Sequence, residues 1–294
     1  MSTLRSKLVI FALITLFVFS SCTDSVTNTD EVQASEEDIT VLQNVVGDAL
    51  SDKGEGFLST IQDLTAQLHQ DGMQYRFRQN QEWRGPLNNF NYQYNPETGV
   101  HLIQYRRGFT RPNLSQLLQV RLEYLFLDAS NGFIEFPGQD ADLIESITFT
   151  GTRSGFTDAP VRRSEFERSA NWTLEGFGAA NEFMSLSGIQ TNNGSMIVRG
   201  REGVQASRTF NMTFNLLDIT IQKPDATEDR LEYLVTGLIE YEVTMVMFRN
   251  GEEVTREFSG TLELDGDGSA LMRVLGLNRV IRLHLGTGEP VGRP

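Results

Sequence analysis

From Met73 onward, apolar and polar side chains alternate along the chain with a period of two residues. One such run extends from Leu118 to Phe126, another from Phe210 to Leu216, and the longest from Tyr233 to Met247. This alternation is typical of antiparallel strands with one buried face and one solvated face. We therefore predict a mainly β protein with roughly a dozen strands.

Turn residues separate these runs. Asn250-Gly251 lies between two alternating segments and predicts a two-residue hairpin. The apolar parity slips to Leu217, Ile219 and Ile221, as a β-bulge would cause. Further turns are predicted at Asn95–Gly99, Ser130–Gly132, Asn192–Gly194 and Asp265–Gly268.

No helix-length pattern separates the strands, so parallel βαβ crossovers are not expected. The predicted fold is one long antiparallel meander, arranged as a curled sheet, an open barrel or a sandwich. Residues 72–294 are expected to form this single β domain.

Two short amphipathic helices are predicted before the sheet. Ser35 and Asp38 have the spacing of a capping box, and Ile39, Leu42, Val45, Val46, Ala49 and Leu50 follow at helical spacing. After Gly54 and Gly56, a second stripe consists of Leu58, Ile61, Leu64 and Leu68. We expect this helical pair, within residues 36–71, to pack on the sheet.

The N-terminus has the pattern of a targeting segment. Arg5 and Lys7 precede an apolar run from Leu8 to Phe19 that is interrupted only by Thr15. A membrane-spanning helix needs about 20 apolar residues, so this shorter run is typical of a cleaved signal peptide. The small residues Ser20 and Ser21 then precede Cys22, the one cysteine of the chain.

Phe19-Ser20-Ser21-Cys22 resembles the lipobox of bacterial lipoproteins, although that family usually has Leu where Phe19 stands. The resemblance implies that residues 1–21 are a signal peptide and that Cys22 carries the lipid. Residues 22–35 would then form an acidic, flexible tether. The expected location is the cell envelope, with attachment to the outer membrane and either a periplasmic or a surface position. The alternative is an ordinary secretory signal that leaves a free thiol.

Charge and composition exclude several functions. The chain has 39 acidic and 25 basic residues, a net charge of −14, so nucleic acid is not an expected partner. A lone cysteine cannot form an internal disulfide or a thiolate metal site. We expect no cofactor, because the glycines between Gly286 and Gly292 lack the βαβ unit of a dinucleotide site.

Catalytic and metal-binding motifs are also missing from the sequence. His69, His101 and His284 have no second histidine at ligand spacing, so no metal site is expected. The segment Asp265–Ser269 could offer oxygen ligands to calcium, but its glycines favour a hairpin. No motif identifies a nucleophile, and we therefore predict no catalytic residues.

Two sets of residues are candidates for contact with a ligand. If the sheet does not close, aromatic side chains near its start would line an apolar groove: Tyr75, Phe77, Trp83, Phe90, Tyr92, Tyr94 and Tyr105. Arg106, Arg107 and Arg111 could bind an anion or an acidic partner. For these arginines, and for Arg162, Arg163 and Arg168, charge balance with neighbouring acids is the favoured interpretation.

These observations favour a lipid-anchored envelope protein with a non-enzymatic binding or structural role. One alternative is a carrier or receptor of a lipid or acyl chain. Two helices followed by a long meander resemble the general plan of the outer-membrane lipoprotein carrier and receptor family, without a shared motif. The other alternative is an enzyme that processes envelope glycan or peptide. The possible partners are the membrane, through the N-terminal lipid, an envelope protein or a lipid ligand.

The lipobox makes a direct prediction. A Cys22→Ala or Cys22→Ser variant should remain uncleaved or leave the membrane fraction, because two or more acyl chains are needed for stable attachment. Fractionation of cells, followed by a measurement of the mass of the protein, tests this. Fractionation like that of the wild type would contradict the lipobox interpretation.

Overall fold

A computed structural model describes residues 34–52, 55–66, 68–69, 72–73, 87–178, 181–200, 203–223, 230–249 and 251–292. Two α-helices come first, α1 (Glu36–Leu50) and α2 (Phe57–Ala66). A pair of two-residue strands follows, β1 (Leu68–His69) and β2 (Gly72–Met73). The remaining strands are β3 (Leu87–Asn95), β4 (Val100–Arg111), β5 (Leu114–Leu127), β6 (Ser146–Ala159), β7 (Arg162–Glu175), β8 (Phe183–Gly200), β9 (Gly203–Gln222), β10 (Val235–Arg249), β11 (Glu252–Asp265), β12 (Ser269–Val274) and β13 (Val280–His284).

Strands β3 to β13 form one antiparallel sheet of 11 strands, in which each strand pairs with the next along the chain. The predicted meander is confirmed. The sheet is not closed, and β3 and β13 are its two edges. β10 ends at Arg249 and β11 begins at Glu252, opposite each other, as the predicted two-residue hairpin requires.

Alternate side chains of each strand point to the face that packs against the helices, here called the inner face. On β5 the buried side chains are Leu118, Val120, Leu122, Tyr124 and Phe126, which is the predicted parity. They belong to one hydrophobic core with the helices, α1 contributing Leu42 and Val46 and α2 contributing Leu58. The outer face keeps the polar residues of the alternation.

The predicted β-bulge is confirmed at Asp218. The pairing of β9 with β10 shifts register between Thr236 and Leu238, and Asp218 has a φ of 51°. Before the bulge the buried residue is Leu216, and after it the buried residue is Ile219. The extra residue therefore keeps both halves of β9 facing the core.

One predicted turn is wrong. Asn192–Gly194 lies inside β8, where Asn193 pairs with Glu167 on one side and with Asn211 on the other. Asn192 is buried on the inner face, and a Cβ at Gly194 would lie 2.4 Å from Cζ of Phe210. Gly194 is therefore explained by the Phe210 ring that lies over it within the sheet, and not by a turn of the chain.

The capping box at the start of α1 is confirmed. The Ser35 hydroxyl accepts from the Asp38 amide, and the Asp38 carboxylate accepts from the Ser35 amide. Helix α2 ends at Ala66, earlier than the predicted Leu68, because the backbone of Leu68 instead pairs with Met73.

Both ends of α1 are bound to strands far away in the sequence. At its start, Arg256 of β11 donates to the buried Asp38 over 3.1 Å. Burial raises the pKa of Asp38, but hydrogen bonds from Ser35 and Arg256 outweigh it and hold the pKa below its usual value. At its end, Arg168 of β7 donates to Asp48 over 2.8 Å.

These contacts require the sheet to curl. Asp48 contacts β7, whereas its neighbour Gly47 packs against Gly288, just beyond β13. On a flat sheet, six strand spacings would place β7 and β13 about 29 Å apart. One helical turn can contact both because the inner face wraps around α1.

The contact between Gly47 and Gly288 makes a prediction. A Cβ at Gly47 would lie 2.0 Å from the carbonyl oxygen of Gly288. Alanine normally stabilises a helix interior by about 0.5–1 kcal/mol relative to glycine. Gly47→Ala should instead lower the free energy of unfolding by about 1–3 kcal/mol, because the turn after β13 must move away.

Denaturant unfolding of the purified protein measures this difference. Gly292→Ala is the control, since a Cβ there would meet no atom within 4 Å among the described residues. A Gly47→Ala variant as stable as the wild type would contradict the close contact between α1 and this turn.

Candidate functional site

The central strands extend well beyond the helices. Towards the β4–β5, β6–β7 and β8–β9 hairpins, burial decreases and side chains on both faces become half-exposed or exposed. A cavity of about 680 Å³ opens here on the inner face, between the second half of α1, strands β5 to β9 and the turn Thr287–Glu289. We call it the inner-face cavity. Its volume is in the range of small-molecule sites, about 300–1,000 Å³.

Apolar side chains form one part of the inner-face cavity. Phe166 of β7 and Phe210 of β9 flank Gly194 of β8 in the register of the sheet, and Met196 and Val45 lie nearby. Glycine between two phenylalanines leaves room for the rings to spread over the strand. Both rings are half-exposed, so the cavity presents apolar surface to whatever enters it.

Two arginines form another part of the cavity. Arg208 of β9 is opposite Met196, and Arg162 lies at the start of β7. Within the described part of the chain, neither guanidinium has a hydrogen-bond or ion-pair partner, and Nε of Arg208 is buried. Burial lowers the pKa of Arg208 and the charge of Arg162 lowers it further, whereas the charge of Asp48 opposes this change.

A polar layer lies between the inner-face cavity and the apolar core. Arg153, Arg168 and Asn192 are adjacent on β6, β7 and β8, and Gln190 lies beside Asn192. All four side chains are buried.

This layer binds both helices. Arg153 donates to Thr60 Oγ1 of α2 over 2.7 Å, and Gln190 contacts the Ala49 carbonyl of α1 over 3.5 Å. Arg168 also stacks on Phe166, 4.9 Å from the ring centroid. Burial lowers the pKa of Arg168, whereas the carboxylate of Asp48 opposes this change. The layer therefore contacts the last turn of α1 and the first turn of α2, beside the inner-face cavity.

The predicted aromatic groove lies in a different place, at the β3 edge. Tyr75, Phe77 and Trp83 lie outside the described residues. Phe90 and Tyr92 are 44% and 42% exposed, Tyr94 is half-buried, and Tyr105 is buried in the core. A register shift between Asn88 and Asn91 separates Phe90 from the tyrosines. That these residues bind an apolar ligand stays a prediction.

The two tyrosines of β3 enclose His101. Tyr94 stacks obliquely on His101 at 4.6 Å, and Phe126 meets the same ring edge-on at 5.2 Å. Nε2 lies 2.9 Å from the Ile134 carbonyl, which can only accept, so Nε2 carries the proton. Nδ1 therefore accepts from the Tyr92 hydroxyl over 2.8 Å. Burial lowers the pKa of His101, which favours this neutral ring.

The two arginine clusters are divided between the faces of the sheet. Arg107 and Arg111 share one face of β4, whereas Arg106 is on the other, as the alternation of a strand requires. Arg111 lies over the Phe109 ring at 5.0 Å. Whether Arg106, Arg107 and Arg111 contact an anion or a partner stays a prediction.

The second cluster has a similar division. Arg163 points to the outer face and pairs with Glu165, as charge balance predicts. Arg162 and Arg168 are on the inner face, and Arg208 was not a candidate in the sequence. A signal for these residues did exist: Arg162 and Arg168 share the parity of Ala170, Trp172 and Leu174, so they had to face inward.

Other predicted sites have ordinary structural roles. The segment Asp265–Ser269 forms the hairpin between β11 and β12, where Asp267 accepts from the Ser269 amide and pairs with Arg282. Hydrogen bonds from Ser269 lower the pKa of Asp267. Among the described residues no three His, Cys, Asp or Glu side chains converge as metal ligands, and no helix there is long and apolar enough to cross a membrane.

Comparison with known proteins finds no matching family model, no matching curated protein and no matching solved structure.

The buried His101 predicts a pH dependence of stability. Its pKa in the folded protein is below the value of about 6.5 that an unfolded chain shows. As the pH falls below that value, the unfolded state binds more protons, and the free energy of unfolding decreases. In His101→Gln this contribution should be absent, so the free energy of unfolding should decrease less than in the wild type between pH 7.5 and 5. The difference is at most about 1.4 kcal/mol per pH unit.

Denaturant unfolding at several pH values measures the effect. Tyr92→Phe is the comparison variant. It removes a hydrogen bond worth about 1 kcal/mol but keeps the buried imidazole of His101, so the pH dependence should persist. Equal pH dependence in the wild type and in His101→Gln would contradict the assignment of a neutral His101.

Proposed function

We propose that the chain is a lipid-anchored cell-envelope protein that binds a ligand in the inner-face cavity without catalysing a reaction. In this proposal residues 1–21 are removed, Cys22 carries the lipid, and residues 22–35 connect the anchor to the folded part. The acidic tether would be repelled by anionic headgroups and would hold the protein away from the membrane surface. The outer membrane is the proposed site of attachment, and either a periplasmic or a surface position is compatible with it.

One observation carries the binding role. The inner face continues beyond the helices, and its exposed part combines apolar rings with arginines that lack partners. A sheet with a purely structural role would gain stability from covering the rings and pairing the charges, because buried donors without partners cost free energy. Retention of both features is typical of a site that is completed by a ligand.

A role as carrier of an acyl chain is the second candidate. Phe166, Phe210 and Met196 support it, since they form a continuous apolar surface in the register of β7, β8 and β9. In this case the ligand would be a lipid rather than a segment of an envelope protein. We propose no catalytic role, because the sequence contains no nucleophile motif and no paired acid–base constellation.

Filling the inner-face cavity with a large side chain tests the proposal. Ser164 lies on the inner face and lines the cavity, so Ser164→Trp should occupy the space that a ligand needs. The matched control is Asn171→Trp, on the exposed outer face of the same strand. The full chain would be isolated in polymer-bounded membrane discs, and bound small molecules would be identified by extraction and mass spectrometry.

The wild type and Asn171→Trp should retain a molecule in a fixed ratio to protein, and Ser164→Trp should lack it. The same content of small molecules in all three proteins, or none in any, would contradict a binding role for the inner-face cavity.

A further inference from the structure

Arg208 and Arg162 differ from most arginines of this acidic protein. Many other arginines on and near the surface of the described part have a carboxylate partner, although Arg106 and Arg111 of β4 have none. These pairs are Arg121–Glu123, Arg163–Glu165, Arg199–Asp158, Arg256–Asp38, Arg273–Glu263, Arg279–Glu36 and Arg282–Asp267. With 39 acids in the chain, a carboxylate partner for Arg208 would be easy to supply. Two like charges instead approach each other, one on the half-buried Arg208 and one on the exposed Arg162.

Among the described residues, no acid that lines the cavity forms an ion pair with Arg208 or Arg162, although the charge of Asp48 partly offsets the effect of Arg162 on the pKa of Arg208. Asp48 lines the cavity but bonds to Arg168, and Glu165 bonds to Arg163. Glu289 lies in the turn at the rim. The strand side of the cavity therefore carries two guanidinium groups without an ion-pair partner among the described residues, in a protein with a net charge of −14.

Apolar surface directly adjoins this charge. Arg208 is opposite Met196 across the β8–β9 pair, and Phe210 is the next residue along β9 on the same face. Phe166 continues this surface on the other side of Gly194. A ligand that fits both features has an anionic group at one end and an apolar chain at the other.

We propose that the inner-face cavity binds a single-chain anionic amphiphile. Its carboxylate or phosphate group is bound by Arg208 and Arg162, and its chain lies on Phe166, Phe210 and Met196. The guanidinium groups supply charge-assisted hydrogen bonds in a place where partial burial strengthens them. This inference rests on the proposed binding function and specifies its ligand.

Calorimetric titration of the lipid-anchored full chain in membrane discs tests the proposal, with empty discs as the reference. The probes are octanoate and octyl phosphate, with octanol as the neutral probe and octyltrimethylammonium as the cationic one. The two anionic probes should bind, and the neutral and cationic probes should bind at least about tenfold more weakly. The stronger of the two anionic probes distinguishes a fatty acid from a phosphate-bearing lipid as the source.

Two variants test whether Arg208 binds the anionic group of the probes. Arg208→Gln should weaken binding of both anionic probes by about tenfold or more, because a charge-assisted contact is lost. The matched control Arg163→Gln is on the outer face of β7, next to Arg162 in the chain, and should bind them as the wild type does. Arg208→Gln should be at least as stable as the wild type in thermal unfolding, since a buried donor without a partner is removed.

The outcomes separate the two proposals. Equal binding of anionic and neutral probes, with no effect of Arg208→Gln but a loss in Ser164→Trp, would overturn the anionic ligand and keep the cavity. Absence of binding by every probe to the wild type would overturn the amphiphile, and the extraction experiment would then decide whether the cavity binds anything else. A marked loss of thermal stability in Arg208→Gln would make Arg208 a structural residue and would also overturn the proposal.

Discussion

The fold depends on covering one apolar face of a very long sheet with two short helices. Helix α1 has 15 residues and spans about 22 Å, whereas the 20 residues of β9 span about 65 Å. The helices can therefore cover only part of the inner face, and the sheet curls to bring its distant strands to α1. What lies beyond the helices is built from the same strands but without their cover. Core and cavity are thus two parts of one surface.

The polar layer of Arg153, Arg168, Gln190 and Asn192 marks the boundary between these parts. Buried arginines contribute little net stability as ion pairs, but one that lacks its partner is costly. Helix α1 therefore ends where Asp48 meets Arg168, and a shift by one turn would break this contact. The layer thus adds directional contacts to the apolar packing of the helices on the sheet. The size of the cavity follows from the position of the helices.

Much of the fold was predictable because its signals are local. The Ser35–Asp38 capping box, the alternation of each strand and the parity slip at Asp218 involve residues close in sequence. The cavity was not predictable, because it depends on where α2 and α1 contact strands that are 93 and 120 residues away in the sequence. Gly194 shows the same limit. The sequence Asn192-Asn193-Gly194 indicates a turn, but the Phe210 ring of the next strand lies where a side chain at Gly194 would be. Arg163 was correctly assigned to charge balance. For Arg162 and Arg168, charge favoured the solvated face, whereas their position in the alternation of β7 places them on the inner face.

The contact between Gly47 and Gly288 has a consequence for how the chain reaches its native state. The two glycines are roughly 240 residues apart, whereas every pairing within the meander joins neighbours in sequence. Hairpins can therefore form early and quickly. Bringing α1 to the turn after β13 closes a large loop, and pairing between neighbouring strands does not offset this loss of entropy. We expect the sheet to assemble first and the docking of α1 to be the slow, final step. Until then the inner face of the sheet is exposed, so a molecule that binds there during folding would compete with the protein's own helix.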